Sequence, residues 1–370
     1  MELYFPLMAK STPLVEIQRA NGAELCEESG WILASHFGAP LEEYQAVRSG
    51  VAILDMCHYT ALHLTGPDRV SYLQGMVSND VKGLTPGTGL YAAVLDVNGK
   101  ILADLRVLCT EASFMLLLWE PLKQKVITHL NRYLVADDVE IRDDDGRCGM
   151  ISLQGPKARS LLGAVALANE LPSQMHSHRL LRIGEREIRV IRSTHTGEEG
   201  FDLLMKIQDL APVAKEIEKA GVAFSLRWAG LHAQEVLRVE AGLPRYGVDM
   251  DEDTLFLETG LDHAVSFHKG CYLGQEVVER IRSRGHVNRK LVGIVLEGEN
   301  AACHGDKISS EGKEIGKVTS SVVSPALKRP IALGYVHHDY LQPGTRISIE
   351  RNGELLAVAI APLPFYPTSP

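Results

Sequence analysis

Apolar and polar residues alternate along Thr60–Gly66, where Leu62 and Leu64 flank His63, the period-two pattern of a half-buried strand. Gly66-Pro67-Asp68 then opens a helix running to Val77, because proline fits a first helical turn and an acid suits the N-terminal dipole. Two apolar segments, Leu90–Val97 and Lys100–Leu108, flank Asn98-Gly99, a strong hairpin signal, and Phe114–Trp119 adds a further strand. Leu122, Val126, Leu130 and Leu134 recur every four residues, as on an amphipathic helix. Asp137–Arg147 carries six acids and reads as an exposed bend. Leu153–Gly155 followed by Pro156 repeats the strand-then-helix unit, and Val213–Ala220 is helical up to Gly221. From about Leu291 helical periodicity fades. Short apolar runs are separated there by Glu311-Gly312, Pro343-Gly344 and Asn352-Gly353, as in a small all-β domain, barrel or sandwich. The pattern predicts an α+β region with a boundary near 285–291 and a β tail.

Composition narrows the class. The 370 residues, 45% hydrophobic and 23% charged, suffice for two to three domains. A net charge of −9 argues against a broad nucleic-acid-binding surface, so direct nucleic-acid binding is not expected. No apolar run approaches the ~18–20 residues of a membrane helix. The opening stretch MELYFPLMAKSTPLVE has no signal-peptide pattern. Six cysteines, at 26, 57, 109, 148, 271 and 303, form no CxxC pair, so neither a metal site nor a disulfide framework is indicated. These features predict a cytoplasmic protein with reduced thiols and no membrane partner.

Several segments carry candidate chemistry. In Lys269-Gly270-Cys271-Tyr272-Leu273-Gly274-Gln275-Glu276, Cys271 precedes a helix over Gln275–Ser283, where the helix terminus and Lys269 would both favour a thiolate. Asp104 sits among apolar residues on the hairpin that also holds Tyr91, and a carboxylate there calls for a partner or a ligand with N–H donors. Asp202 heads an apolar strand after the polar turn Thr194–Gly200; it is either a capping acid of that turn or a carboxylate suited to the amidine-like edge of a pterin. On the helical stretch Leu231–Gly242, Arg238 and Glu240 are too close in sequence to face one another and must point different ways. Arg280–Lys290 concentrates five cations in eleven residues, either at a helix C-terminus or at an anion site.

Taken in order, these segments resemble the aminomethyltransferase (glycine cleavage T-protein) superfamily from about Ala46 to the end. The carriers include Leu54–His58, Gly75–Asp80, Leu84–Tyr91, Ala103–Leu105, Leu153–Pro156, Thr196–Phe201, Leu237–Gly242 and Tyr246–Glu252. Within the superfamily, Lys269–Glu276 is similar to the hallmark of the YgfZ branch, folate-binding proteins implicated in iron–sulfur cluster assembly or repair and, indirectly, tRNA modification. The resemblance implies a three-subdomain clover-leaf. Two interleaved α+β subdomains would share residues 1–286, with a nominal split near 150, and a β-barrel would occupy 287–370. It also implies tetrahydrofolate as the bound cofactor and iron–sulfur enzymes as clients. Cys271, Lys269 and Asp104 would be catalytic; Tyr91, Asp104, Asp202, Glu198, Arg238 and Tyr272 would bind folate. Departures from the T-protein pattern at Ala103, Leu108, His195 and Gln234-Glu235 favour that branch. The alternative is an aminomethyltransferase moving a one-carbon unit from a lipoyl-bound aminomethyl group to tetrahydrofolate, and a third reading is a binding module without chemistry.

Overall fold

The computed structural model describes residues 9–168, 170–351 and 354–367. Two mixed layers of strand and helix are threaded through one another, and a barrel closes the chain. The strand Ala52–Asp55 begins a six-stranded sheet, but the chain leaves it at once to build a second sheet from residues 59 to 143. That five-stranded sheet runs Gly89–Leu95, Ile101–Cys109, Phe114–Trp119, Tyr59–Thr65, Glu140–Asp143 in spatial order. The chain then returns, and Cys148–Gln154 pairs antiparallel with Ala52–Asp55, completing the first sheet with Gly200–Lys206, Arg186–Arg192 and His178–Ile183 on one side and Arg227–Trp228 on the other. No helix among the described residues is long and apolar enough to cross a membrane.

The tail is a closed six-stranded barrel from Arg289 to Ala361, filled by Ile294, Ile308, Val336 and Ile349. Closure removes every sheet edge, which a sandwich would leave exposed. The Asn352-Gly353 turn expected within it lies outside the described residues, as does the first half of the N-terminal stretch.

Alternation decides what each strand presents. Along Ile101–Arg106, Ile101, Ala103 and Leu105 are buried in the core, while Leu102, Asp104 and Arg106 point to the other face. The preceding turn is longer than a two-residue hairpin. Only Gly99 has positive φ (74°), and Asp96 closes the loop by accepting from the Asn98 and Lys100 amides. The register shift at Val94/Leu95 is the bulge such a loop produces.

The acidic segment Asp137–Arg147 departs from the expected bend. Glu140–Asp143 is an edge strand against Tyr59–Thr65, with Ile141 packed on the core. Charge on an edge strand blocks further strand pairing, so an acidic stretch is compatible with this position. The helix after the Lys269–Gly274 segment runs Gln275–Arg284 and ends at Gly285. Its N-cap, Gly274, has φ 85°, and a Cβ there would stand 2.6 Å from the Asp96 carbonyl oxygen. That glycine seats the segment against the hairpin turn.

Candidate functional site

A cavity of about 370 Å³ opens where the two sheets meet the helix Leu231–Glu240 and the segment Leu243–Val248. Met56, Leu117 and Trp119 give it apolar walls. Asp104 and Arg106 enter from one strand and Tyr91 from its neighbour. The Tyr91 hydroxyl donates to Asp104 Oδ2 at 2.6 Å, spanning the diagonal between the two strands. Tyr91 is also stacked near His263 and His176, with ring centroids 5.8 and 6.3 Å away. Burial pushes the Asp104 carboxyl up, opposed by the Tyr91 hydroxyl and the Arg106 charge; burial and Asp104 together keep Tyr91 protonated.

Opposite this wall stands His195. Its Nε2 lies 2.9 and 3.1 Å from the two oxygens of Asp202, which is fully buried behind it. Arg106 Nη1 reaches the same carboxylate at 3.2 Å. Burial alone would raise the Asp202 carboxyl, but His195 and Arg106 overcome it and hold the group well below the usual range. Three polar atoms of cavity-lining residues are buried without a protein partner: His58 Nδ1, His176 Nδ1 and Arg245 Nε. Unpaired buried groups are costly, and a polar ligand would satisfy them.

The residues singled out in sequence separate into three groups. Tyr91, Asp104 and Arg238 line the cavity. Asp202 reaches it only through His195 and Arg106. Glu198 points elsewhere, accepting from Arg48 at 2.6 Å in a buried network with Glu240 and Tyr44. Arg238 and Glu240 do point different ways, and the Arg238 donors are committed to Glu235, Asp249, Ser320 and the Leu243 carbonyl. Lys269, Cys271 and Tyr272 are not among the lining residues. The Lys269 ammonium donates to the Val77 and Asn79 carbonyls at 2.6 and 2.8 Å, capping the helix Arg69–Met76, and burial pushes its pKa down to about 7. Tyr272 lies beneath it, and Cys271 is exposed.

Sequence reasoning missed His58, His176, Trp119 and Arg245. Arg106 was findable, standing two residues beyond Asp104 on the same strand face. The others sit on loops or strand ends, where no periodicity marks them.

The comparisons agree with one another. The family model described as the GCVT N-terminal domain matches residues 14–269, and the glycine cleavage T-protein C-terminal barrel domain matches 289–367. The chain belongs to the glycine cleavage T-protein family. A relative from Rubrobacter xylanophilus, named aminomethyltransferase, is 34% identical over 96% of this chain and 94% of its own. Another aminomethyltransferase, from Halothermothrix orenii, is 31% identical over 96% of this chain and 99% of its own. The crystal structure of glycine cleavage system aminomethyltransferase T from Bartonella henselae superposes with a TM-score of 0.88 at 26% identity, covering 97% of this chain and 98% of that one.

These likenesses overturn the YgfZ reading, with its role in iron–sulfur assembly and tRNA modification, that Lys269–Glu276 led us to expect. Relatives matching nearly the whole chain carry the aminomethyltransferase name, whereas that reading rested on one eight-residue motif and a few single-residue departures. In the fold, Lys269 caps a helix and Gly274 permits a close backbone approach, so both have structural tasks there.

The buried histidines set a pH dependence. Burial pushes His58 and His176 down to about 3, with neighbouring cations adding to the effect, and His178 down to about 4. An unfolded histidine titrates near 6.5, so below that pH the unfolded chain binds protons the folded chain refuses. Stability is therefore complete above pH ~6.5 and falls as pH drops toward the folded values, by at most about 1.4 kcal/mol per pH unit per histidine. Thermal unfolding from pH 8 to 4.5 should show a flat Tm above neutrality and a steepening fall below, shallower in His176→Leu. A Tm unchanged between pH 7 and 5 would refute this.

Proposed function

We propose that this protein is an aminomethyltransferase that moves a one-carbon unit from a lipoyl-bound aminomethyl group to tetrahydrofolate in the central cavity. The observation that carries this reading is a half-buried carboxylate, Asp104, presented with Tyr91 into an aromatic and apolar cavity of a chain similar over nearly its whole length to proteins named aminomethyltransferase. Tetrahydrofolate enters as a substrate. The residues present suit it: Trp119, Tyr91 and Tyr59 offer faces for a heteroaromatic ring, and the unpaired nitrogens of His58 and His176 offer polar contacts.

Asp202 is not free to grip a pterin edge, because His195 and Arg106 occupy its oxygens. That leaves Asp104 as the carboxylate for the ligand's N–H groups. Gln234 and Glu235 also line the cavity, and Arg245 supplies a cation there, held only loosely by Glu28 at 3.4 Å and Glu235 at 3.9 Å. Asp104 then acts electrostatically. As the acceptor amine bonds to the incoming carbon, positive charge grows on its nitrogen, and a preorganised carboxylate stabilises that charge.

Trp119 supplies a binding signal, since Trp31 and Trp228 lie outside the cavity lining. Tetrahydrofolate should quench fluorescence saturably in the wild type. Trp119→Phe should lose the quench while calorimetry still registers binding. Release of ammonia on mixing the protein with tetrahydrofolate and an aminomethyl-lipoyl donor tests the reaction, and no release above the protein-free rate sinks it.

A further inference from the structure

We propose that His195, oriented by Asp202, is the proton acceptor of the transfer step; this rests on the carbon-transfer reading above. A carboxylate can only accept, so the 2.9 and 3.1 Å contacts place a proton on Nε2, and in the neutral ring the lone pair then belongs to Nδ1. No hydrogen bond to Nδ1 is made among the described residues, and His195 lines the cavity. Asp202 is completely buried behind the ring and is not itself among the cavity-lining residues. This is the orienting arrangement of a general base held in one tautomer by a carboxylate.

The ring is fixed by more than Asp202. The His195 amide donates to Gln154 Oε1 at 3.1 Å, and the hydroxyls of Thr194 and Thr196 donate to the same oxygen, stapling the turn from within the core. Tyr59 packs edge-on against the imidazole. Arg106 shares the Asp202 carboxylate and stands two residues from Asp104 on the same strand, about 7 Å along it. The groups that stabilise charge and accept the proton therefore belong to one connected cluster.

In the step, one N–C bond forms between the acceptor amine and the incoming carbon. The donor's C–N bond breaks, and its electron pair leaves on the departing nitrogen. The acceptor's N–H proton passes to His195 Nδ1, giving an imidazolium opposite Asp202, and then to the departing nitrogen, so that ammonia leaves. The carbon, still held by the donor sulfur, is released when a second folate nitrogen bonds to it as the C–S bond breaks. The electron pair of that bond leaves on sulfur, and the second nitrogen's proton goes to the thiolate. Asp202 is a positioning residue, since it touches only His195, Arg106 and their surroundings. The titratable and charged groups around the imidazole are Asp202, Arg106, His58, His176 and Tyr59.

The test compares full-length wild type, His195→Gln, His195→Ala and Asp202→Asn. The glutamine variant should bind tetrahydrofolate with nearly wild-type affinity yet turn over about 10²-fold or more slowly, within the range for losing a general base. The acidic limb of the kcat–pH profile should vanish with it. Added imidazole should restore part of the rate in His195→Ala, and Asp202→Asn should lower kcat more than it raises KM. A glutamine variant within about threefold of wild-type kcat, or an unchanged acidic limb, overturns the proposal. Nitrogen-15 NMR of labelled histidine gives a readout independent of activity. It should find His195 as the Nε2–H tautomer, with Nδ1 shifting on tetrahydrofolate addition. The opposite tautomer overturns the dyad. A wild type with no transfer activity refutes the transferase reading and this role with it, while the NMR result still reports on the dyad.

Discussion

Replacing Asp104 by asparagine is expected to lower kcat for carbon transfer by about 10²- to 10³-fold, the usual consequence of removing one preorganised electrostatic group. The substitution isolates charge from shape. Asparagine keeps an oxygen that can accept the 2.6 Å hydrogen bond from Tyr91, so the wall of the cavity should hold its form. Burial already pushes the Asp104 carboxyl up, so neutralising it removes an unfavourable desolvated charge, and Tm should stay level or rise. The diagnostic pattern is a large loss in kcat, a modest change in tetrahydrofolate affinity and no loss of stability. Wild-type turnover in Asp104→Asn would remove Asp104 from the chemistry.

The second large effect concerns stability. Asp249→Ala should destabilise the fold by about 3–5 kcal/mol, because it removes one of the two carboxylates paired with buried Arg238 and leaves the Thr319 and Ser320 hydroxyls and the Arg245 amide without their acceptor. Asp249 Oδ2 accepts from Arg238 Nη1 at 2.7 Å and from the Arg245 amide at 3.0 Å, while Oδ1 accepts from the hydroxyls of Thr319 and Ser320. Arg238 in turn reaches Ser320 at 2.7 Å. The cluster thus ties the helix Leu231–Glu240 to the barrel strand Lys313–Ser324. Removing Asp249 leaves the buried Arg238 charge with only the partly exposed Glu235 as its counter-ion, whereas removing both buried ions takes that charge away. Arg238→Met combined with Asp249→Leu should therefore recover most of the loss in a denaturant titration. If the double variant loses the sum of the two single losses, the ion pair is not the source of the effect.

Local patterns in the chain were informative to different degrees. The hairpin around Asn98-Gly99 and the alternation of Ile101–Arg106 are local features, so the face carrying Asp104 could be read directly. The amphipathic spacing of Val126 and Leu130 likewise marked the helix Lys123–Tyr133, where both are fully buried. Pairing of Ala52–Asp55 with Cys148–Gln154 spans nearly a hundred residues, and no local signal marks such a partner. The acidic stretch Asp137–Arg147 concealed a strand because charge on an edge looks like charge on a loop.

The site was harder to read than the scaffold. Asp202 and Arg238 carry the residue types of ligand-binding groups, yet other protein side chains occupy their hydrogen-bonding atoms. Those partners, His195 and Asp249, emerge only when loops fold back. Lys269–Glu276 shows the reverse relation between composition and packing. Its composition pointed to a reactive thiol, whereas the packing uses Lys269 to cap a helix, and Cys271 lies outside the cavity.

Carbon-13 NMR of a donor labelled at its aminomethyl carbon, mixed with tetrahydrofolate and stoichiometric protein, addresses aminomethyl transfer itself. The label should move from the donor to a carbon bonded to folate nitrogens, with ammonia released in equal amount, and the transfer should slow by about 10²-fold or more with Asp104→Asn. Tetrahydrofolate that binds while the label stays on its donor, with no ammonia formed, would contradict the assignment of this protein as an aminomethyltransferase.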